Sequence, residues 1–189
     1  MNLYVMRHGT TVWNEKGITQ GRTNNRLSKQ GILLTQDVAK RLKDIDFDII
    51  ISSPLMRAIQ TANIINQYHK VKIFKDINLI EIDQGIFTGK SKYSLTDEEK
   101  IMKAARSKDA GMESYQSCFD RIKNFLDKLK KNDQFENVLV ITHNCNASFI
   151  EDIITNKKIN FNDDNFLRNF KNAEVKNFVI WYLQNQTRE

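Results

Sequence analysis

Apolar residues fall into two rhythms along this chain. In the first they bunch into short runs: Leu3, Val5 and Met6; Phe47 with Ile49, Ile50 and Ile51; Val71, Ile73 and Phe74; Val138 to Thr142; Phe178 to Tyr182. Runs of this length, many β-branched and bounded by polar or small residues, predict strands. In the second rhythm apolar residues recur every three or four positions. Ile32, Leu33, Val38, Ala39 and Leu42 form one such stripe, and Leu55, Ala58, Ile59, Ala62 and Ile65 another. Tyr115, Phe119, Ile122, Leu126 and Leu129 make a third, and Phe149, Ile150, Ile153 and Ile154 a fourth. These spacings predict amphipathic helices. Strand and helix alternate, the order expected of a mostly parallel sheet with helices on both faces. The unbroken run Val138–Thr142 predicts a central strand. Ser28 is placed to cap the first long helix, and Ser52-Ser53-Pro54 reads as a cap and first-turn proline opening the next.

Between Asp83 and Gly111 the rhythm lapses into glycines, serines and charges, with one short helix predicted over 97–106. That stretch, about 83–113, reads as a lid-like insertion in a single domain of 189 residues. No apolar run is long enough to cross a bilayer, and no basic-then-apolar leader opens the chain, so a cytoplasmic location is expected. Cys118 and Cys145 are far apart and form no CxxC, which predicts buried free thiols rather than a disulfide or zinc site. A formal charge of +6 and a pI near 9.2 invite a nucleic-acid reading. The lysines are mixed with acids along helices and no nucleic-acid motif accompanies them, so a solvated basic surface suited to small anions is expected instead.

The chemistry collects after the strands. Arg7 and His8 follow the first, Arg57 falls in the first turn after the second, Glu81 comes shortly after the third, and His143 directly follows Val138–Thr142. In a parallel sheet all the carboxyl ends share one edge, so these groups converge although remote in sequence. Arg7-His8-Gly9 alone could be a surface turn; with two arginines, two histidines and a carboxylate at one edge, the pattern predicts a phosphate site. Gly9, lacking a side chain, is read as letting a ligand approach the backbone.

At this point the chain resembles the histidine phosphatase superfamily, which includes the cofactor-dependent phosphoglycerate mutases and small phosphatases such as the α-ribazole phosphatases. The resemblance rests on Arg7-His8-Gly9 with Asn14, on Gln20-Gly21-Arg22, and on Ser52 to Ala62 around Arg57. It continues through Leu79-Ile80-Glu81 with Gly85 and Gly89, Gly111-Met112-Glu113-Ser114, and Val140-Ile141-Thr142-His143. It implies a phosphoglycerate mutase-like α/β fold, a three-layer α/β/α sandwich. It also implies that His8 accepts the phosphoryl group while Arg7, Arg57 and His143 hold its oxygens. Glu81 would protonate the leaving oxygen and then draw a proton from water. Asn14, Gln20, Gly21, Arg22 and Asn144 would contact substrate, and neither a metal nor another cofactor is implied. The implied partner is a small phosphorylated metabolite, with no nucleic acid and no membrane; oligomeric state is left open.

Three departures accompany the resemblance. Thr10 stands where an acid or amide is common, Asn144 where a glycine usually follows the second histidine, and Asn24-Asn25-Arg26 lacks the usual Asp and Pro. Cys145 is read as packing, His69 as surface, and Trp13 as shaping either the pocket mouth or the core. The short interval from Glu81 to His143 favours water as the acceptor, hence a phosphatase, with a mutase as the alternative. A phosphate- or partner-binding module without catalysis is the reading of another class.

Overall fold

The computed structural model describes residues 1–161 and 169–180. Five strands form one sheet: β1 (Asn2–Arg7), β2 (Ile49–Ser52), β3 (Lys72–Lys75), β4 (Asn137–Thr142) and β5 (Val175–Val179), in the order β3-β2-β4-β1-β5. All neighbours are parallel except β5, which runs antiparallel to β1 at one edge. The helices are α1 (Val12–Glu15), α2 (Lys29–Leu42), α3 (Met56–Ile65), α4 (Asp97–Ala104), α5 (Tyr115–Lys130) and α6 (Asn144–Ile154).

Two-residue alternation along the strands sorts the core into two layers. Leu3, Val5, Ile49, Ile51, Val138 and Val140 face α5 and α6, packing on Ile122, Leu126 and Phe149. Met6, Ile50, Leu139 and Ile141 face the other way, onto Val38 and Ala39 of α2 and Ala58 and Ala62 of α3. β4 is buried on both faces because its side chains are apolar in both registers, as its unbroken run predicts. Cys118 and Cys145 are free and buried in the first layer. No helix of the described residues is long and apolar enough to cross a membrane.

Element boundaries correct the sequence in places. Ser28 caps α2, its hydroxyl accepting from Gly31 N at 3.0 Å. The helix after β2 begins at Met56 rather than at Pro54, and its N-cap is Leu55, with no side-chain cap bond. Ser53 Oγ accepts from Leu55 N at 3.3 Å and also meets His143, as described below. α4 stops at Ala104, two residues before Arg106, which takes a left-handed φ of 51°. Of the last predicted strand, Phe178 and Val179 lie in β5, which starts earlier at Val175; Trp181 and Tyr182 lie outside the described residues. His69, expected at the surface, is half-buried and packs edge-on against Phe47, ring centroids 4.8 Å apart.

The stretch 83–113 has a core of its own, Phe87, Ala110 and Met112 with Leu95 against them. It is stitched to the loop after α1 by Thr19 N to Lys90 O and Gly89 N to Thr19 O, both 2.9 Å, and by Lys103 Nζ to Thr19 Oγ1 at 2.8 Å. α4 itself buries no residue.

Candidate active site

The strand register assembles the site. Arg7 pairs with Thr142 and Ser52 with Ile141, so the residues just beyond, His8, Ser53 and His143, emerge side by side from three adjacent strands. Backbone bonds from His8 N to Thr142 O at 3.0 Å and Ser53 N to Ile141 O at 2.9 Å carry the pairing one step past the sheet. The two histidine rings lie with centroids 5.1 Å apart, both buried.

His8 Nδ1 is 2.7 Å from the carbonyl oxygen of Gly9, and its Nε2 is 3.2 Å from Arg57 Nε. A carbonyl only accepts and a guanidinium N–H only donates, so the ring carries its proton on Nδ1 and a lone pair on Nε2. Burial first, then Arg57 and Arg7, push the His8 pKa well below the usual value, against the weaker pull of the Gly9 hydrogen bond. His143 is pushed well below it too, again by burial first and then by Arg57. Both rings are therefore neutral at pH 7.

Arg57 has no exposed surface and spends all three of its nitrogens: Nε on His8, Nη1 on Thr23 O at 2.7 Å, Nη2 on Gly21 O at 2.9 Å. Burial lowers its pKa to about 10, with Glu81 opposing and Arg7 adding to the fall, so it remains a cation. Arg7 gives Nη1 to Phe170 O at 2.5 Å and keeps a buried Nε without a hydrogen-bond partner among the described residues. His143 shares a 2.7 Å hydrogen bond between Nε2 and Ser53 Oγ, while its buried Nδ1 has none among the described residues. Glu81 Oε2 stands 3.9 Å from that Nδ1 and its Oε1 accepts from Ile82 N at 2.9 Å. Burial raises the Glu81 pKa even though Arg57, Arg7 and Arg121 pull it down. One buried and one half-buried guanidinium group thus face a carboxyl whose pKa burial has raised and two neutral imidazoles. Buried charge left uncompensated is costly, and a dianion is the complement this arrangement lacks.

The predicted contact residues occupy a surrounding tier. Asn14 completes a capping box at α1, its Oδ1 accepting from Thr11 N at 3.1 Å, while nothing among the described residues accepts from its Nδ2. Gln20 Oε1 accepts from Thr11 Oγ1 at 2.9 Å, tying the next loop to that cap. Gly21, at φ 49°, turns its carbonyl onto Arg57. Arg22 gives Nε to Glu81 O at 3.1 Å and pairs with Asp83 and Glu113 at 3.7 and 3.2 Å, so its charge is committed within the protein. Asn144 opens α6 with a buried Oδ1 that has no hydrogen-bond partner among the described residues. Thr10 offers its carbonyl to Ser28 N at 2.9 Å, anchoring the start of α2. Gly9 needs correction. A Cβ there would stand 2.3 Å from Thr35 Oγ1 and 3.0 Å from Gly31 O, so its bareness serves packing against α2.

Ser53, Arg121 and Asn146 escape a sequence reading because each acts on a segment remote in the chain; only Ser53's place beside a strand end marks it. Arg121 holds Glu113 Oε1 at 2.9 Å and Asn78 O at 2.5 Å. Clefts of about 500 and 770 Å³ lie elsewhere, beside α2 and β5 and beside α4 and α5, without His8 in their walls. Among the described residues no group of three or more His, Cys, Asp or Glu side chains could hold a metal ion.

The sequence model of the histidine phosphatase superfamily (branch 1) matches residues 3–176. The chain is 30% identical over 149 residues to phosphoserine phosphatase 1 of Hydrogenobacter thermophilus, covering 76% of this chain and 71% of that one. Among solved structures it is similar to a phosphoglycerate mutase from Bacillus anthracis, with TM-score 0.80 and 26% identity over 96% of this chain and 88% of that one. It shares its fold with an α-ribazole phosphatase from Shigella flexneri, with TM-score 0.74 and 24% identity over 82% of this chain and 79% of that one.

Proposed function

The chain belongs to the histidine phosphatase superfamily, a family of phosphatases and mutases acting on phosphorylated small metabolites, and on that premise we propose that it is a metal-independent phosphomonoesterase working through a phosphohistidine at His8. The observation that carries this reading is the lone pair on His8 Nε2, fixed by the Gly9 carbonyl and surrounded by Arg57, the unpartnered Arg7 Nε and the unpartnered His143 Nδ1. Phosphoryl transfer asks for in-line placement and for positive charge around the equatorial oxygens more than for covalent ingenuity.

In the first half-reaction His8 Nε2 attacks phosphorus as the ester P–O bond breaks. The Arg57 Nε–H that caps the lone pair turns onto a phosphoryl oxygen, joined by Arg7 and His143. Glu81, whose pKa burial raises against the pull of Arg57 and Arg7, gives a proton to the departing alkoxide. In the second, water attacks phosphorus, the P–N bond breaks, and the Glu81 carboxylate takes the water's proton. Inorganic phosphate leaves and His8 regains its lone pair. The two arginines supply the cationic clamp that a divalent metal provides in other phosphoryl-transfer sites.

The test is phosphate release from p-nitrophenyl phosphate and a panel of phosphorylated metabolites, with EDTA present, by wild type and His8→Ala. Release by wild type and its loss in the variant is the expected result. Interconversion of 3- and 2-phosphoglycerate with little free phosphate would instead make the chain a mutase, and phosphate binding without turnover would make it a binding module.

A further inference from the structure

Glu81 sits on no regular element. It follows a one-turn 3-10 helix, Ile77–Leu79, and the backbone leading into it is held by side chains. Four consecutive carbonyls each accept from one or more of them. Asn78 O takes Arg121 Nη1 at 2.5 Å, and Leu79 O takes Thr142 Oγ1 at 3.0 Å and Asn146 Nδ2 at 2.8 Å. Ile80 O takes Asn146 Nδ2 at 2.9 Å, and Glu81 O takes Arg22 Nε at 3.1 Å. Asn146 is the shared member of this grip. It is fully buried on the first turn of α6, three residues after His143. Its two amide hydrogens are divided among Leu79 O, Ile80 O and Thr142 Oγ1, the last at 3.0 Å. Its Oδ1 accepts from Cys118 Sγ at 3.2 Å and from Arg121 Nη2 at 3.3 Å. An amide that both donates and accepts, with its polar atoms all engaged, costs nothing to bury and fixes its neighbours in one arrangement.

From this geometry we infer that Asn146 is a positioning residue for proton transfer: it locks the Leu79–Ile80 backbone to the helix that carries His143, and so sets where the Glu81 carboxyl stands relative to the phosphoryl site. The inference rests on the phosphohistidine reading above. Its particular consequence is selectivity by leaving group. An alkyl ester needs a proton as its alkoxide departs, whereas p-nitrophenolate leaves without one, so a displaced Glu81 hurts the first ester far more than the second.

The experiment compares kcat and KM of wild type, Asn146→Ala, Glu81→Gln and the double variant on p-nitrophenyl phosphate and on glycerol phosphate. Asn146→Ala is expected to lower kcat on glycerol phosphate by ~10- to 100-fold, part of the 10²–10⁴ a general acid supplies, with KM little changed and p-nitrophenyl phosphate affected less than ~3-fold. In the double variant the alkyl-ester loss should match that of Glu81→Gln alone, since a residue that acts through Glu81 has nothing left to position. If Asn146→Ala does not fold, Arg121→Lys, which loosens the neighbouring hold on Asn78 O and on the Asn146 oxygen, carries the same comparison. Equal losses on both esters, or additive losses in the double variant, would overturn the positioning role alone. A wild type inactive on both esters would overturn the phosphatase reading and this inference with it.

Discussion

His8 is defined by two neighbours of opposite character, a carbonyl that takes the Nδ1 proton and a guanidinium that points at Nε2. The guanidinium in turn is aimed by two backbone carbonyls, Thr23 O and Gly21 O. A lysine in place of Arg57 keeps the charge but reaches none of the three acceptors in that fork geometry. Arg57→Lys is therefore expected to lower kcat/KM by ~10²–10³-fold, the scale of removing one preorganised donor from a transition-state clamp, and steady-state kinetics on p-nitrophenyl phosphate would read it. A loss below ~3-fold would mean that charge alone suffices. The pH profile follows from the same contacts. With His8 held well below its ordinary pKa, kcat/KM should pass downward through pH 6.5 without falling. With Glu81 raised above its ordinary 4.5, kcat/KM on an alkyl ester should decline on the alkaline side as that carboxyl ionises, and Glu81→Gln should erase the limb. Arg7, His8, Arg57 and His143 were legible in the sequence because each ends a strand, directly follows one, or lies in the first turn of the next helix. Asn146 and Arg121 were not, because their partners are backbone carbonyls some 40 to 70 residues away, a relation that carries no residue-type signature.

At the level of elements, the alternation of runs and stripes gave the layers, and the polar residue just past each strand gave the edge where the site lies. The errors fell where one residue has two possible employers. Ser53 looks like a helix cap, yet its hydroxyl is shared between His143 Nε2 and the backbone N–H of Leu55, and α3 starts three residues beyond it, at Met56, with Leu55 as an N-cap that makes no side-chain bond. Gly9 looks like a door for a ligand, yet its missing Cβ is filled by Thr35 of α2, and Gly31 on that helix is likewise bare where Thr10 O would be 1.9 Å from a Cβ. The strand-to-loop exit and α2 are therefore packed backbone against backbone. Gly9→Ala should destabilise by about 1–3 kcal/mol, as overpacking does, and Thr35→Ala in the same chain should return part of that loss. Urea unfolding of the single and double variants measures both. An alanine at position 9 that leaves stability intact but abolishes phosphate binding would restore the ligand-approach reading.

The molecule as a whole stores the cost of its site as pH sensitivity. His8 and His143 are depressed in the fold, so in acid the unfolded chain binds protons that the folded chain refuses. Stability they leave intact above the ordinary histidine value of 6.5 is lost as pH falls below it, at up to about 1.4 kcal/mol per pH unit for each ring. Glu81 runs the other way. Its raised pKa means the fold takes up a proton before the unfolded chain does, a contribution fully present below 4.5 and lost as pH rises through the folded value. Two rings against one carboxyl leave a net fall of about 1.4–2.8 kcal/mol per unit once the unfolded histidines titrate. Glu113, whose pKa Arg121 holds down against the opposing effect of burial, loses its contribution only near and below the carboxylate range, so from pH 6.5 to 5.5 the slope is set by the histidines, His69 with its burial-lowered pKa included, working against Glu81. Urea unfolding across that window should show the decline, and His8→Asn should flatten it in part. Phosphate added at 100 times its Kd should lift the whole curve by about 2.7 kcal/mol by binding only the folded form. A wild type whose stability is level from pH 6.5 to 5.5 would mean that the two rings accept protons in place, and His8 would then lack the free lone pair on which the phosphohistidine mechanism depends.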